Sequence, residues 1–422
     1  MKLKLFLIVL LLSQIGIAQQ RTCGVKEATE RIMFNPLLKA KHKELQNKFK
    51  NELIKINSKK SNKNSNEEVV NSTIYIPVAV HYPSAASANS TLKNCLRTLA
   101  QNQINILNAD YNATNSDISL WADASPIYPG VNVGDMDVQF VIATQNHPSG
   151  TGLANGEMAV TFGTDFLSNS DFDSTWSGYM NLVVRNISGG ILGYSPLGGS
   201  PGFGMTVVID NNAFGSGVGC TGYAPSAPYN LGRTLTHELG HFFNLDHTFI
   251  SCDTGDCATS GDEVCDTQPT DSPEYNCLPN GSVLSACDGN PQLTMNYMDY
   301  VQDSCMFMFT EGQVERMNAW YNAISSQFLT NTLGNNDFVE NNFAIYPNPS
   351  NGTFIIELKE NLTNYSIQII DASGRLMGDF NYTKNSPMVH QIKFDKALSG
   401  LYFITIKVED TGDVVNKKIL IK

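Results

Sequence analysis

The sequence predicts an α+β chain in two folded parts. The first is a twisted mixed sheet with a histidine-bearing helix and an irregular, disulfide-rich lower lobe; the second is a small all-β sandwich. Three observations carry this. Strand-like apolar runs and one long helical pattern share residues 74–209. Six of the nine cysteines crowd residues 252–305, where hydrophobic patterning is sparse. Residues 343–422 turn to short alternating strands between turn signals.

The elements follow in chain order. Lys2 and Lys4, the apolar run Leu5 to Leu12 and the small residues Gly16-Ile17-Ala18 before Gln19 read as a signal peptide over 1–18. That run is too short to span a membrane permanently, so the mature chain is expected to be exported and soluble. Residues 19–70 read as a pro-segment, with a lysine-rich helix over Leu37 to Ile56 and a polar linker over Ser58 to Glu68.

A body over 71–335 begins with a strand at Ile74 to Val80. A helix follows over Leu92 to Tyr111, with Leu96, Leu99, Ile104 and Leu107 inward. Further strands are expected at Met136 to Ala143, Met180 to Val184 and Met205 to Ile209, the last two separated by a Gly-rich connection. Helices are expected at Leu231 to Asn244 and, capped by Thr310, at Glu311 to Leu329. A polar linker (336–342) leads to strands at Phe343 to Tyr346, Gly352 to Leu358, Tyr365 to Asp371, His390 to Phe394, Gly400 to Val408 and Val414 to Ile421.

The chemistry concentrates in His237-Glu238-Leu239-Gly240-His241-Phe242-Phe243-Asn244-Leu245-Asp246-His247. His237 and His241 are four apart and share a helix face, so both can reach one metal ion. Glu238 sits beside the first ligand, placed to activate water without ligating. His247 reaches the same point if the chain turns back at Asn244. Asn296-Tyr297-Met298-Asp299-Tyr300 follows about fifty residues on, where a methionine turn would pass beneath such a site.

These residues resemble the metzincin clan of zinc endopeptidases, and within it the pappalysin family. The resemblance implies Zn²⁺ held by His237, His241 and His247, Glu238 as general base, and Met298 as an apolar floor. The family usually has Gly at position 244; Asn tolerates a left-handed backbone better than other non-Gly residues. Tyr300 resembles the clan tyrosine that stabilises the oxyanion, with packing against the turn as its other reading. The family also implies Cys277 paired with Cys305, Cys287 with Cys252 or Cys257, and Ca²⁺ near Asp262, Asp266 and Thr267; a solvated acidic loop is the alternative there. A preference for Arg or Lys after the scissile bond would need a buried carboxylate, with Asp303 the candidate and Asp299 its competitor.

Cys23, in Arg21-Thr22-Cys23-Gly24, stands apart from the other cysteines. A thiolate there could bind the zinc and keep the enzyme latent, which resembles the cysteine switch of several metzincins. Otherwise it is an unpaired thiol or a partner of Cys95 or Cys220. Residues 343–422, through Ile345-Tyr346-Pro347-Asn348-Pro349, Gly352-Thr353-Phe354, Ser399-Gly400-Leu401-Tyr402-Phe403 and the terminal Lys418 to Lys422, resemble the C-terminal sorting domain of type IX secretion. That implies secretion machinery as a partner and export across the outer membrane.

Net charge is −12, unevenly spread. Residues 71–335 hold five Lys plus Arg against twenty-four Asp plus Glu, and residues 19–70 hold twelve against six. A basic leader can dock on this acidic body, which also disfavours nucleic acid and is compatible with calcium sites and cationic peptide substrates; ordinary solubility is the other reading, and the protein or peptide substrates expected as partners are what the family resemblance implies. The expected function is a secreted zinc endopeptidase made as a latent precursor. The rival is a catalytically inactive surface adhesin or binding module on the same fold.

Overall fold

The computed structural model describes residues 20–61, 73–163, 171–220, 222–279, 282–333, 343–358, 364–371, 375–383, 389–394, 399–408 and 414–422. The expected signal peptide, most of the expected polar linker at 58–68 and the expected linker at 336–342 lie outside the described residues. Two compact units form. One holds the residues up to Ile142 with Met158–Leu329, and the other holds Ala143–Glu157 with Thr330–Lys422.

The leader forms two helices, α1 (Val25–Phe34) and α2 (Pro36–Ser61). The sequence pattern missed α1, whose buried face is only Ala28 and Ile32, too short a stripe for periodicity to show. Asn35 separates the helices, its side chain accepting from the backbone N–H of Leu37 and Leu38, with Pro36 opening α2.

The body's sheet is built from β1 (Ile74–Tyr82), β2 (Val138–Ile142), β3 (Val160–Phe162), β4 (Met180–Arg185), β5 (Gly193–Tyr194) and β6 (Thr206–Asp210). Its order is β2-β1-β4-β6-β5, with β3 paired to the end of β1. All pairings are parallel except β5 with β6. From Ile76 onward β1 is buried on both faces, hence its continuous apolar run. Pro77 precedes the stretch of β1 that pairs with β4, so its missing N–H breaks no bond there.

Helix α3 (Ser90–Tyr111) is capped by Asn89 and buries Leu96, Leu99, Ile104 and Leu107 as the periodicity predicts. A short α4 (Trp121–Ala124) follows. Helix α5 (Arg233–Phe242) carries the first two histidines, and α6 (Glu311–Ile324) starts from a capping box between Thr310 and Gln313. Both are shorter than the sequence pattern implied. Gly232, in the left-handed region at φ 79°, delays the start of α5, and a 3-10 turn at Ser325–Gln327 replaces the end of α6.

The second unit contains β7 (Phe343–Tyr346), β8 (Thr353–Leu358), β9 (Tyr365–Asp371), β10 (Leu376–Tyr382), β11 (Val389–Lys393), β12 (Gly400–Val408) and β13 (Val414–Ile421). Sheets β10-β9-β12-β13 and β11-β8-β7 enclose Phe354, Ile356, Ile367, Ile369, Ile404, Ile406, Ile419 and Ile421. β10 went unread because it is an edge strand with no buried side chain and Gly378 within it. Beside β13, the Asn348 side chain accepts from Leu420 N (2.9 Å) and donates to Lys418 O (3.0 Å). Ser350 continues the pairing to Leu420 and Lys422. Among the described residues, no helix is long and apolar enough to cross a membrane.

Candidate metal centre

Helix α5 is anchored by a buried polar network on its underside. Asp303 Oδ2 accepts from the N–H of Leu231 (2.8 Å) and Arg233 (3.3 Å), taking the place of an N-cap. The Arg233 guanidinium grips Asp117 with two bonds and reaches the carbonyls of Asp303 and Met306. Thr236 offers its hydroxyl to Asp110, whose pKa burial raises to about 6. Tyr111 donates to the Thr236 carbonyl.

His237 and His241 leave the same face of α5. The chain then turns at Asn244, which takes φ 69°. That is the left-handed conformation the turn demands, adopted here by a non-glycine residue. The turn brings His247 back, and the three Nε2 atoms lie 3.1–3.2 Å apart. His237 Nδ1 donates to Tyr297 O (2.7 Å) and His241 Nδ1 to Leu245 O (2.8 Å). With those protons placed, both Nε2 atoms present lone pairs to each other, an arrangement that only a cation relieves. Three nitrogens at about 2.0–2.1 Å from one tetrahedral zinc would be separated by about 3.3 Å, close to what is seen. Burial lowers all three imidazole pKa values, most strongly for His237 and His247, where neighbouring histidines add to it. The neutral rings suit ligation, so the donor set fits zinc.

Glu238 is buried beside the triad, and burial pushes its pKa up to about 8. Gly193 on β5 makes room for it: a Cβ there would lie 2.8 Å from Glu238 Cγ. Met298 is fully buried against α5, and a Cβ on Gly240 would collide with its sulfur. The turn carrying Met298 is pinned by Asn296, whose Oδ1 accepts Met298 N. Tyr300 stacks its ring edge near His247, centroids 5.1 Å apart, and burial raises its phenol pKa.

The leader crosses this centre. Cys23 pairs in parallel with Gly193, flanked by Leu192 N to Thr22 O (3.0 Å) and Gly24 N to Gly193 O (3.1 Å). Its Sγ converges with the three histidine nitrogens, within 4.8 Å of one another, and donates to Glu238 Oε2 at 3.2 Å. Part of the residue reaches solvent, yet enclosure of the sulfur, then the Glu238 charge, pushes the thiol pKa up. Cys23 N donates to the Tyr300 hydroxyl (3.3 Å).

Arg21 runs into the body beside it. Its Nη2 meets Asp303 Oδ1 at 2.5 Å, with side-chain exposures of 1% and 0%. Its guanidinium lies 5.0 Å from the Tyr229 ring centre, and the backbone N–H of Arg21 donates to the Tyr229 hydroxyl (2.7 Å). Asp299 meets no arginine; it accepts the N–H of Glu274 and Tyr300, and burial raises its pKa to about 7. Farther along the leader, Leu38, Leu45 and Phe49 of α2 are buried. Trp320 and Arg316 of α6 lie on Phe49, and Gln46 donates to Asn244 Oδ1 (2.9 Å).

The loop offered for calcium is only partly drawn together. Thr267 donates to both carboxylate oxygens of Asp262, whose pKa burial raises to about 7. Asp266 instead serves the start of α6, accepting from Thr310 Oγ1 (2.6 Å) and Gly312 N (2.8 Å). Disulfides join Cys277 to Cys305, Cys252 to Cys287, Cys257 to Cys265 and Cys95 to Cys220, leaving Cys23 free. Sequence reasoning missed Arg21, Tyr229 and the Arg233 network. The alternation of Arg21 and Cys23 in an extended segment was the one available signal for the first.

Residues 164–322 match the peptidase family described as pregnancy-associated plasma protein-A, and residues 344–422 match the secretion system C-terminal sorting domain. The chain is similar to extracellular metalloprotease 1 of Coccidioides posadasii, 41% identical over 150 residues, covering 34% of this chain and 49% of that protein. An extracellular metalloprotease of Colletotrichum graminicola is 39% identical over 155 residues, covering 34% and 50%. The chain thus spans about half the length of the curated relatives it matches. Among solved structures, Tannerella forsythia mature mirolysin in complex with a cleaved peptide is 30% identical, with a TM-score of 0.45, covering 59% of this chain and 91% of that one.

Proposed function

We propose, for a chain that belongs to the pappalysin family of metzincins and ends in a type IX secretion sorting domain, a secreted zinc endopeptidase made as a latent precursor. The convergence of His237, His241 and His247 around one point, with Glu238 beside it, carries this reading. Zinc held there supplies a Lewis acid that polarises a peptide carbonyl and acidifies water. Glu238, poised by burial near neutral pH, takes the proton of the attacking water and passes it to the leaving nitrogen. The Tyr300 hydroxyl, which the Cys23 backbone engages in the precursor, becomes free to donate to the oxygen that gains charge.

Latency rests on Cys23, whose sulfur would join the three histidines in holding the zinc. The Arg or Lys preference after the scissile bond rests on Arg21, which occupies the Asp303 and Tyr229 pocket as a substrate side chain would. In this reading residues 1–18 are the signal peptide, 19–70 the pro-segment, 71–335 the catalytic domain and 343–422 the sorting domain, read by type IX secretion machinery. Calcium at Asp262 and Thr267, with Asp266 nearby, belongs to the same proposal.

The test is peptide cleavage by the activated chain, with Glu238→Ala as control and a peptide library as substrate. Cleavage lost in the variant and on chelation, with cuts before Arg or Lys, is the expected result. Equal inactivity of both proteins, with zinc bound and the fold intact, would transfer the protein to the binding-module reading.

A further inference from the structure

Arg21 is one of two leader arginines that lie on a carboxylate and a tyrosine ring of the body. The other is Arg31, on α1. Its Nη1 donates to Asp171 Oδ2, and its guanidinium lies 5.0 Å from the centre of the Tyr194 ring. Arg21 has the same two contacts, with Asp303 at 2.5 Å and Tyr229 at 5.0 Å.

Asp171 and Tyr194 are held together independently of the leader. The Tyr194 hydroxyl donates to Asp171 Oδ1 at 2.7 Å. Arg185 braces the pair from the body side, its Nη2 meeting the Tyr194 hydroxyl and lying 3.4 Å from Asp171 Oδ1. Oδ2 is the oxygen that Arg31 uses, so releasing the leader removes its arginine partner, while Arg185 stays 5.8 Å from the centre of the Tyr194 ring. Arg185 offsets one charge locally, but the surrounding body holds twenty-four acidic residues against five basic ones. A ring face beside a carboxylate is a site for a guanidinium or ammonium group.

Its position along the cleft follows from β5. Tyr194 adjoins Gly193, which pairs with Cys23. Arg21 lies on the other side of Cys23, where Thr22 meets Leu192 and Gly190. Asp303 and Asp171 therefore flank the histidine triad in opposite directions along one edge strand. The second site is looser: Arg31 and Asp171 are 49% and 25% exposed, against 1% and 0% for the first pair.

We propose that Asp171 and Tyr194 form a second cation subsite of the cleft, which takes an Arg or Lys side chain of the substrate on the side before the scissile bond. The inference rests on the peptidase reading above and on Asp303 receiving the residue after that bond. No step of bond-making is involved; the site adds specificity.

The experiment uses the activated wild-type enzyme and pairs of peptides that differ only in Lys or Ala, scanned along the residues before the scissile bond. At one position the Lys peptide should have a kcat/KM about three- to tenfold higher, the size expected of a half-exposed ion pair with a ring contact. Asp171→Asn should bring that ratio close to one, and Tyr194→Phe, which keeps the ring, should retain most of it. A measurement without any variant guards against misfolding: about 1 M salt should erase this preference and spare the one at the buried Asp303. No preference at any upstream position in an enzyme that cleaves, or a preference that survives Asp171→Asn, overturns the subsite. An enzyme that cleaves no peptide overturns the peptidase reading instead.

Discussion

Arg21→Ala in the precursor tests how the leader is held. The Arg21–Asp303 pair is fully buried, and removing one member of such a pair costs about 3–5 kcal/mol, because the remaining charge is left unpaired. Asp303 keeps two backbone N–H donors through its other oxygen, so the lower figure applies. About 3 kcal/mol is on the order of a hundredfold in the equilibrium between docked and released leader. The Cys23 and α2 contacts are untouched, so the precursor should fold normally. The assay follows hydrolysis of a short fluorogenic peptide by freshly purified precursor, before any self-cleavage. Residual activity should rise by about two orders of magnitude, and Arg21→Lys should fall between, since a lysine keeps the charge and loses the planar guanidinium that lies over the Tyr229 ring. An Arg21→Ala precursor as silent as wild type would show that the buried pair does not contribute to latency, and the reasoning from burial would fail.

Gly193→Ala should push Glu238 from its place and lower kcat by about ten- to a hundredfold with little change in KM; unchanged kcat would mean the strand yields instead. Asp299 has a folded pKa of about 7, above its usual value, so its contribution to stability is present below about pH 4 and is lost as pH rises towards 7. Asp299→Asn keeps an oxygen for the two N–H donors, both of which use Oδ1. Melting temperatures across pH 4.5 to 8 should therefore fall less steeply in the variant, with Asp110 and Asp262 retaining part of the slope. Chelation followed by added zinc should abolish and then restore cleavage, and should lower the melting temperature in between, since the three nitrogens then face one another without a cation.

The metal centre was legible because it is local. His237, His241 and His247 fall within eleven residues, and helix periodicity plus one turn residue places all three. Asn244 shows how far such reasoning reaches: a left-handed turn was expected there and is found. Asp303 was expected as a buried carboxylate, but its partner was not legible, because Arg21 and Asp303 meet across 282 positions and Arg21 alone is an ordinary charged residue. β5 is two residues long with glycine in it and carries no strand signal, yet it is the edge along which the leader lies. Burial on both faces hid nothing in β1, since a long apolar run reads as a strand; exposure on both faces hid β10.

The carboxamide of Asn348 does for β13 what another strand would, pairing with Lys418 and Leu420 on the outer side of the sheet. An uncovered edge is a template for joining identical chains. Substituting Asn348 by Ala would leave two backbone groups of β13 seeking a neighbour, and the cost would fall on assembly, with the sandwich free to pair edge to edge with its own copies.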